Sequence, residues 1–374
     1  MPAPATVGEV FHGPASQQTR ALERTLRRTW IPLARSWRLT PRGIRLLKRV
    51  TDPTGRVPVL RGTRVEPARV GGRPAEWVLA PRAREQLALL GGDRVAARGP
   101  AAATAAVADG APIVLYLHGG GYVFGSPRTH RSLVSRLSHV TGLAALSLDY
   151  RLPPEATLPA PTEDALAAYR QLLDEGRDPG RIVVAGDSAG GNLALSLALH
   201  AAEAGLPRPA ALVLLSPWAD LSLSHDSFTR NALLDPFIPP AALRRFARVA
   251  TTPAFARDPA DWRASPIFAP EELWRAAMPP TIVQAGSTEL LLDESRAVAE
   301  RVAAAGQRAE LHVFDRQPHV VPLWAGTPEA RTALHLIGRF TTSVLAPQSA
   351  PEPPTIADAG AAAELPPTAD APRS

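Results

Sequence analysis

The sequence predicts an α/β fold, a mostly parallel central sheet flanked by helices, on three observations. Short apolar runs at 113 to 117, 143 to 148, 182 to 185, 211 to 215, 281 to 285 and 309 to 314 alternate with helical patterns. One of these runs leads through a glycine-flanked serine straight into a helix. An earlier run ends in a glycine triplet. With 374 residues, 45% of them hydrophobic, the chain can bury a substantial core, and the order of its motifs argues for one catalytic domain carrying cap insertions.

From the N-terminus, Met1 to Val10 lacks the charged and apolar regions of a signal peptide. No stretch approaches ~18 uninterrupted apolar residues, so no transmembrane span is expected. Residues 20 to 50 set ten basic side chains against one acid, Glu23, interleaved with Leu22, Leu26, Trp30, Leu33, Trp37 and Leu47. That pattern predicts two basic amphipathic helices broken at Pro32 and Pro41. Three readings compete for them: cap helices over the site, a patch lying on an anionic membrane, and a nucleic-acid surface. The cap is favoured, because amphipathic basic faces are usually solvated. Much of the net charge of +6 comes from this segment. Trp77-Val78-Leu79 and the stretch near Val95 are the expected antiparallel opening strands.

The strand Ile113 to Leu117 runs into His118-Gly119-Gly120-Gly121, a loop whose uncovered amides suit an oxyanion hole. Asp187-Ser188-Ala189 lies between Gly186 and Gly190, after Ile182 to Ala185 and before an apolar helix. Strand, glycine-flanked serine and helix in that order form the nucleophile elbow of an α/β-hydrolase sheet. When such a serine attacks a carbonyl, fixed backbone N–H donors stabilise the oxyanion by roughly 3 to 4 kcal/mol per well-placed donor. Gly119, Gly120 and Ala189 are the expected donors.

Together with Asp149-Tyr150-Arg151-Leu152-Pro153-Pro154-Glu155, these two motifs resemble the signature run of the bacterial hormone-sensitive-lipase-like carboxylesterases, over roughly residues 60 to 345. The resemblance implies an α/β-hydrolase core, a helical cap partly built from the N-terminus, and hydrolysis of short or medium acyl esters. It also implies that Asp149 and Arg151 belong to a structural turn without chemistry. The division expected is cap helices within 1–60, a core of 61–221 and 261–346, and a second cap insertion at 222–260. Residues 347–374, rich in Pro and Ala, are expected to be a disordered tail.

The remaining triad members follow the serine as acid, then histidine. Glu289 leaves the strand at 281 to 285 where the family usually holds an aspartate; a glutamate serves the same role of orienting the histidine. Asp293, one helical turn further, is the alternative acid, with service at a helix N-terminus as its competing role. His319 follows the strand 309 to 314 and is the expected general base. His312 lies within that strand and reads as structural, and His118 as a support of its loop.

No metal or cofactor is expected: the chain has no Cys, no H-E-x-x-H, no dinucleotide glycine fingerprint, and Lys48 as its sole lysine. Zero cysteines exclude a disulfide framework and fit a cytoplasmic location, with peripheral membrane association through residues 20–50 as the variant. The expected partner is a small-molecule ester, and no nucleic acid. The functional reading is a serine carboxylesterase with a Ser188-His319-Glu289 triad. A lactone hydrolase, an acyltransferase or a non-catalytic ligand-binding protein on the same fold are the alternatives.

Overall fold

The computed structural model describes residues 7–37, 39–51, 57–91 and 110–346. Its sheet contains β1 (Gly8–His12), β2 (Arg64–Val70), β3 (Arg73–Leu79), β4 (Ile113–Leu117), β5 (Ala144–Leu148), β6 (Ile182–Asp187), β7 (Ala211–Leu215), β8 (Thr281–Gly286) and β9 (Ala309–Phe314). The order across the sheet is β1-β9-β8-β7-β6-β4-β5-β3-β2. Only β3 runs against the rest, pairing antiparallel with β2 on one side and with β5 on the other. Side chains alternate between the faces: Ile113, Leu115 and Leu117 of β4 join one core cluster, Val114 and Tyr116 another. Helices cover both faces, which is why these strands are apolar along their whole length.

The fold sets the site before any side chain is considered. From β4 the chain turns to β5 on one side and then to β6 on the other, so the strand order reverses at β4, and the crevice beyond such a reversal is where α/β sheets bind ligands. Leu117 pairs with Gly186, so the glycine triplet and Ser188 leave adjacent strands at the same level. Gly286 pairs with Phe314, which brings the segments carrying Glu289 and His319 off the sheet together.

The structure differs from, or adds to, the sequence reading at three points. The second opening strand is Arg64–Val70, joined to β3 by the tight turn Gly71-Gly72, and the stretch near Val95 lies outside the described residues, as does the expected tail 347–374. The break at Pro32 is absent: α1 (Gln17–Ser36) runs through it, and the chain interrupts only before α2 (Pro41–Thr51). Pro32 is exposed, so the carbonyl left without its N–H partner can turn to water. A further strand, β1, extends the sheet past β9. Its pattern is almost wholly exposed, so no apolar periodicity announces it.

The start of α1 is held by Glu329, which accepts from Ser16 N at 2.6 Å, Ser16 Oγ at 3.0 Å and Thr19 Oγ1 at 2.9 Å. Further on, the buried Glu23 is forked by Arg316, in the turn after β9, and Gln317 Nε2 donates to Thr19 Oγ1 at 2.5 Å. Residues 222–260 carry the helices Ser227–Arg230, Pro240–Ala250 and Pro253–Arg257. Arg27 donates to the carbonyls of Leu233 and Leu234, and Arg245 to those of Ala34 and Arg35. The two segments are thereby tied to each other above the sheet. No helix among the described residues is long and apolar enough to cross a membrane.

Candidate active site

Ser188 sits between β6 and the helix Ala189–Glu203 at φ 54° and ψ −119°, a strained conformation for a residue with a side chain. Neighbouring strands hold it there. Its N–H donates to Leu215 O at 2.8 Å, and its carbonyl accepts from Trp218 N at 3.0 Å. The close approach of helix to strand demands glycine at position 190, where a Cβ would lie 2.0 Å from Leu117 O.

Of the three amides expected to meet an oxyanion, that of Gly119 is already committed: it donates to Asp187 Oδ1 at 2.9 Å. Gly120 and Gly121 line the cavity beside Ser188. Gly120 adopts φ +116°, and a Cβ there would meet Phe124 O at 2.1 Å, so the turn requires glycine. Ala189 opens its helix, where the first N–H groups have no intrahelical acceptor and the helix dipole favours negative charge.

Asp187 braces this arrangement. The same Oδ1 accepts from Tyr116 Oη at 2.5 Å, and Oδ2 lies 3.5 Å from His130 Nε2. Burial pushes the carboxyl up, yet the charge of His130 and the hydrogen bonds of His130 and Tyr116 leave it below its ordinary value. Tyr150 Oη donates to His118 O at 2.5 Å, and His118 Nδ1 donates to Gly119 O at 2.8 Å. Burial above all, with the neighbouring His130, lowers the His118 pKa to about 3, so it is neutral and works as a donor that shapes the loop.

Glu289 and His319 are both buried, and Glu289 Oε2 accepts from His319 Nδ1 at 2.6 Å. A carboxylate can only accept here, so Nδ1 carries the proton and Nε2, buried without a partner, is the nitrogen left to take one. Glu289 Oε1 accepts from Ser216 Oγ at 2.8 Å and from Gly286 N at 2.5 Å. Ser216 Oγ also accepts from Val320 N at 3.1 Å, so one hydroxyl fixes the carboxylate and the backbone next to His319. Burial lowers the His319 pKa, and the charge and hydrogen bond of Glu289, aided by Asp235 and Asp187, more than reverse this. Asp293 is engaged elsewhere: it accepts from Ser227 N at 2.9 Å and pairs with Arg230 and Arg296 in the first turn of the helix Leu292–Ala304.

Sequence reasoning missed three supporting side chains. Asp187 and Ser216 are two, and Asp235 is the third. Buried Asp235 accepts from Phe237 N at 2.8 Å, Ile238 N at 2.9 Å and Leu290 N at 3.0 Å. Burial and the negative Glu289 raise its pKa to about 6. Asn231 Nδ2 donates to Glu289 O at 2.7 Å, so residues 222–260 grip the loop of the acid at two points. An acid or amide a few residues before Pro and Phe is a recognisable turn, but its long-range partner is not written in the spacing.

Ser188, His319, Gly120 and Gly121 share one cavity of about 690 Å³. Its walls are largely apolar, from Trp30 and Leu33 of α1, Trp37 just after it, Phe237 and Phe246 of the 222–260 segment, and Trp324. Phe237 stacks on Trp30 at 5.3 Å and meets Trp324 edge-on at 5.4 Å, standing 6.2 Å from the His319 ring.

A nucleophile elbow beside an uncovered glycine loop, at the switch point of a parallel sheet, defines an α/β hydrolase. The family described as alpha/beta hydrolase fold matches residues 114–323. An acetyl-hydrolase of Streptomyces hygroscopicus is 40% identical over 233 residues, 61% of this chain and 74% of that protein. An esterase of Acinetobacter venetianus is 33% identical over 240 residues, 64% of this chain and 77% of the other. The solved structure of an esterase from the bacterial hormone-sensitive lipase family superposes with a TM-score of 0.72 at 35% identity, covering 89% of this chain and 100% of that one. The chain belongs to the α/β-hydrolase-fold family and, within it, to the hormone-sensitive-lipase-like carboxylesterases.

Proposed function

We propose that the protein hydrolyses carboxylic esters of short to medium acyl chains through a Ser188-His319-Glu289 triad. The hydrogen bond from His319 to Glu289, inside the cavity that Ser188 lines, carries this reading. His319 Nε2 takes the proton of Ser188 Oγ as the oxygen attacks the ester carbonyl, and the carbonyl oxygen becomes negative against the amides of Gly120, Gly121 and Ala189. The tetrahedral intermediate collapses, the C–O bond to the alcohol breaks, and imidazolium His319 returns the proton to the leaving oxygen. Water then repeats the sequence on the acyl-serine, releasing the acid and restoring the hydroxyl. Glu289 keeps its hydrogen bond to Nδ1–H throughout and stabilises the imidazolium.

The apolar walls support an acyl chain as the group bound, and the cavity volume falls in the range of small-molecule sites. Helices α1 and α2 and residues 222–260 act as its cap. The names of the relatives, an acetyl-hydrolase and an esterase, agree with this class of substrate. A series of p-nitrophenyl esters of increasing chain length tests the reading on the wild type and Ser188→Ala. The expected result is a maximum at short or medium chains that vanishes in the variant; turnover within about tenfold of wild type in Ser188→Ala overturns it.

A further inference from the structure

The inner and outer faces of α1 and α2 differ in kind. Toward the cavity they present Leu22, Trp30, Leu33 and Leu47. Outward, on α1, Arg20, Arg24 and Arg28 follow at four-residue spacing and Arg35 returns to the same stripe, all exposed. On α2, Arg42, Arg45 and Arg49 are exposed opposite the buried Ile44 and Leu47. The acid on these two helices is Glu23, which is buried and bound to Arg27 and Arg316. Among the described residues none of the seven outer arginines has an ion-pair partner, whereas Lys48 pairs with Glu155. Like charges at i, i+4 weaken a helix, so this stripe opposes the fold that carries it.

Large apolar side chains stand in water beside it. Leu33, Leu46 and Val57 are 44%, 53% and 52% exposed, and Leu33 and Val57 also line the cavity, which places them at its opening. Leu233 and Leu234, whose carbonyls hold Arg27, are exposed too. A nucleic acid would use the arginines but not these apolar groups; an anionic bilayer uses both, the arginines at the headgroups and the leucines at the acyl boundary.

We propose that α1 and α2 form a docking face for an anionic lipid surface, with the substrate cavity opening at that face. The docking itself does not depend on the esterase reading; only the consequence, that ester dispersed in vesicles reaches Ser188 directly, rests on it.

The test is co-sedimentation of the full chain, carrying Ser188→Ala so that lipid stays intact, with vesicles of phosphatidylcholine alone or mixed with phosphatidylglycerol. The expected result is binding to the anionic vesicles that weakens with added salt. The combined variant Arg24→Gln, Arg28→Gln, Arg35→Gln and Arg42→Gln loses on the order of 1000-fold in partitioning, taking about fivefold per arginine at the surface. Leu46→Ser weakens binding without altering its salt dependence. With Ser188 restored, both variants keep hydrolysis of soluble p-nitrophenyl acetate within about twofold. Equal binding to neutral vesicles, no binding, binding to duplex DNA alone, or an arginine-dependent self-association without vesicle binding overturns the proposal. Loss of soluble-ester hydrolysis in the unsubstituted chain overturns the esterase reading and leaves the sedimentation result standing.

Discussion

Glu289 Oε2 accepts a 2.6 Å hydrogen bond from His319 Nδ1 where both residues are buried, while Asp293, four residues on, is bound to Arg230 outside that contact. The two acids therefore separate by experiment. Glu289→Gln is expected to lower turnover by up to ~10⁴, since the amide favours the wrong tautomer and leaves the imidazolium without a countercharge. Asp293→Asn is expected to cost about 1 kcal/mol of stability or less, at a helix terminus, with turnover nearly unchanged. Steady-state kinetics of both variants decides; a crippled Asp293→Asn beside a mild Glu289→Gln would exchange their roles.

Ser216 acts on the reaction through other groups, by bonding Glu289 Oε1 and the amide of Val320. Ser216→Ala is expected to reduce kcat about tenfold, corresponding to the ~1.5 kcal/mol of a hydrogen bond to a charged group, with KM little changed. A rise in KM at constant kcat would place Ser216 in substrate binding instead.

The environment of His319 sets the direction of the pH profile. Its pKa lies above the ordinary 6.5, because Glu289 and its neighbours outweigh burial. A general base must be neutral, so kcat/KM should rise with pH through a midpoint above 6.5. In Glu289→Gln the largest attraction is removed while burial and the weaker pull of Asp235 and Asp187 remain, so the residual activity should titrate at lower pH. A midpoint that stays put in the variant contradicts the assignment.

Asp187 supports the oxyanion loop through the Gly119 amide and Tyr116. Asp187→Asn turns one acceptor into a donor facing donors, and the expected loss is about 2 to 3 kcal/mol of stability together with lower kcat. Urea denaturation reads the first and ester turnover the second. An unchanged midpoint would remove Asp187 from the role of brace.

How far the sequence reaches is seen in particular elements. β4 and β7 fall at the residues their apolar runs predict, because strands buried on both faces leave no polar position to blur the ends. β1 carries no such run, because four of its five residues are exposed at the sheet edge. Ser188, Glu289 and His319 could be named from what precedes them, a strand and its C-terminal end. The bond from Tyr116 to Asp187 joins residues 71 positions apart, and that from Ser216 to Glu289 joins residues 73 apart; both arise from strand register, which local spacing does not record. The bond from the Gly119 amide to Asp187 likewise depends on where β6 lies beside β4.

The central claim is that Ser188 Oγ is the nucleophile activated by His319. Its most direct test is peptide mass spectrometry after incubation with a p-nitrophenyl alkylphosphonate, which reacts covalently with an activated serine and is not turned over. One adduct per chain is expected, located on the peptide holding Ser188, absent in Ser188→Ala and formed much more slowly in His319→Ala. An ester-hydrolysing protein whose Ser188 remains unmodified, or whose label sits on another residue, would contradict it.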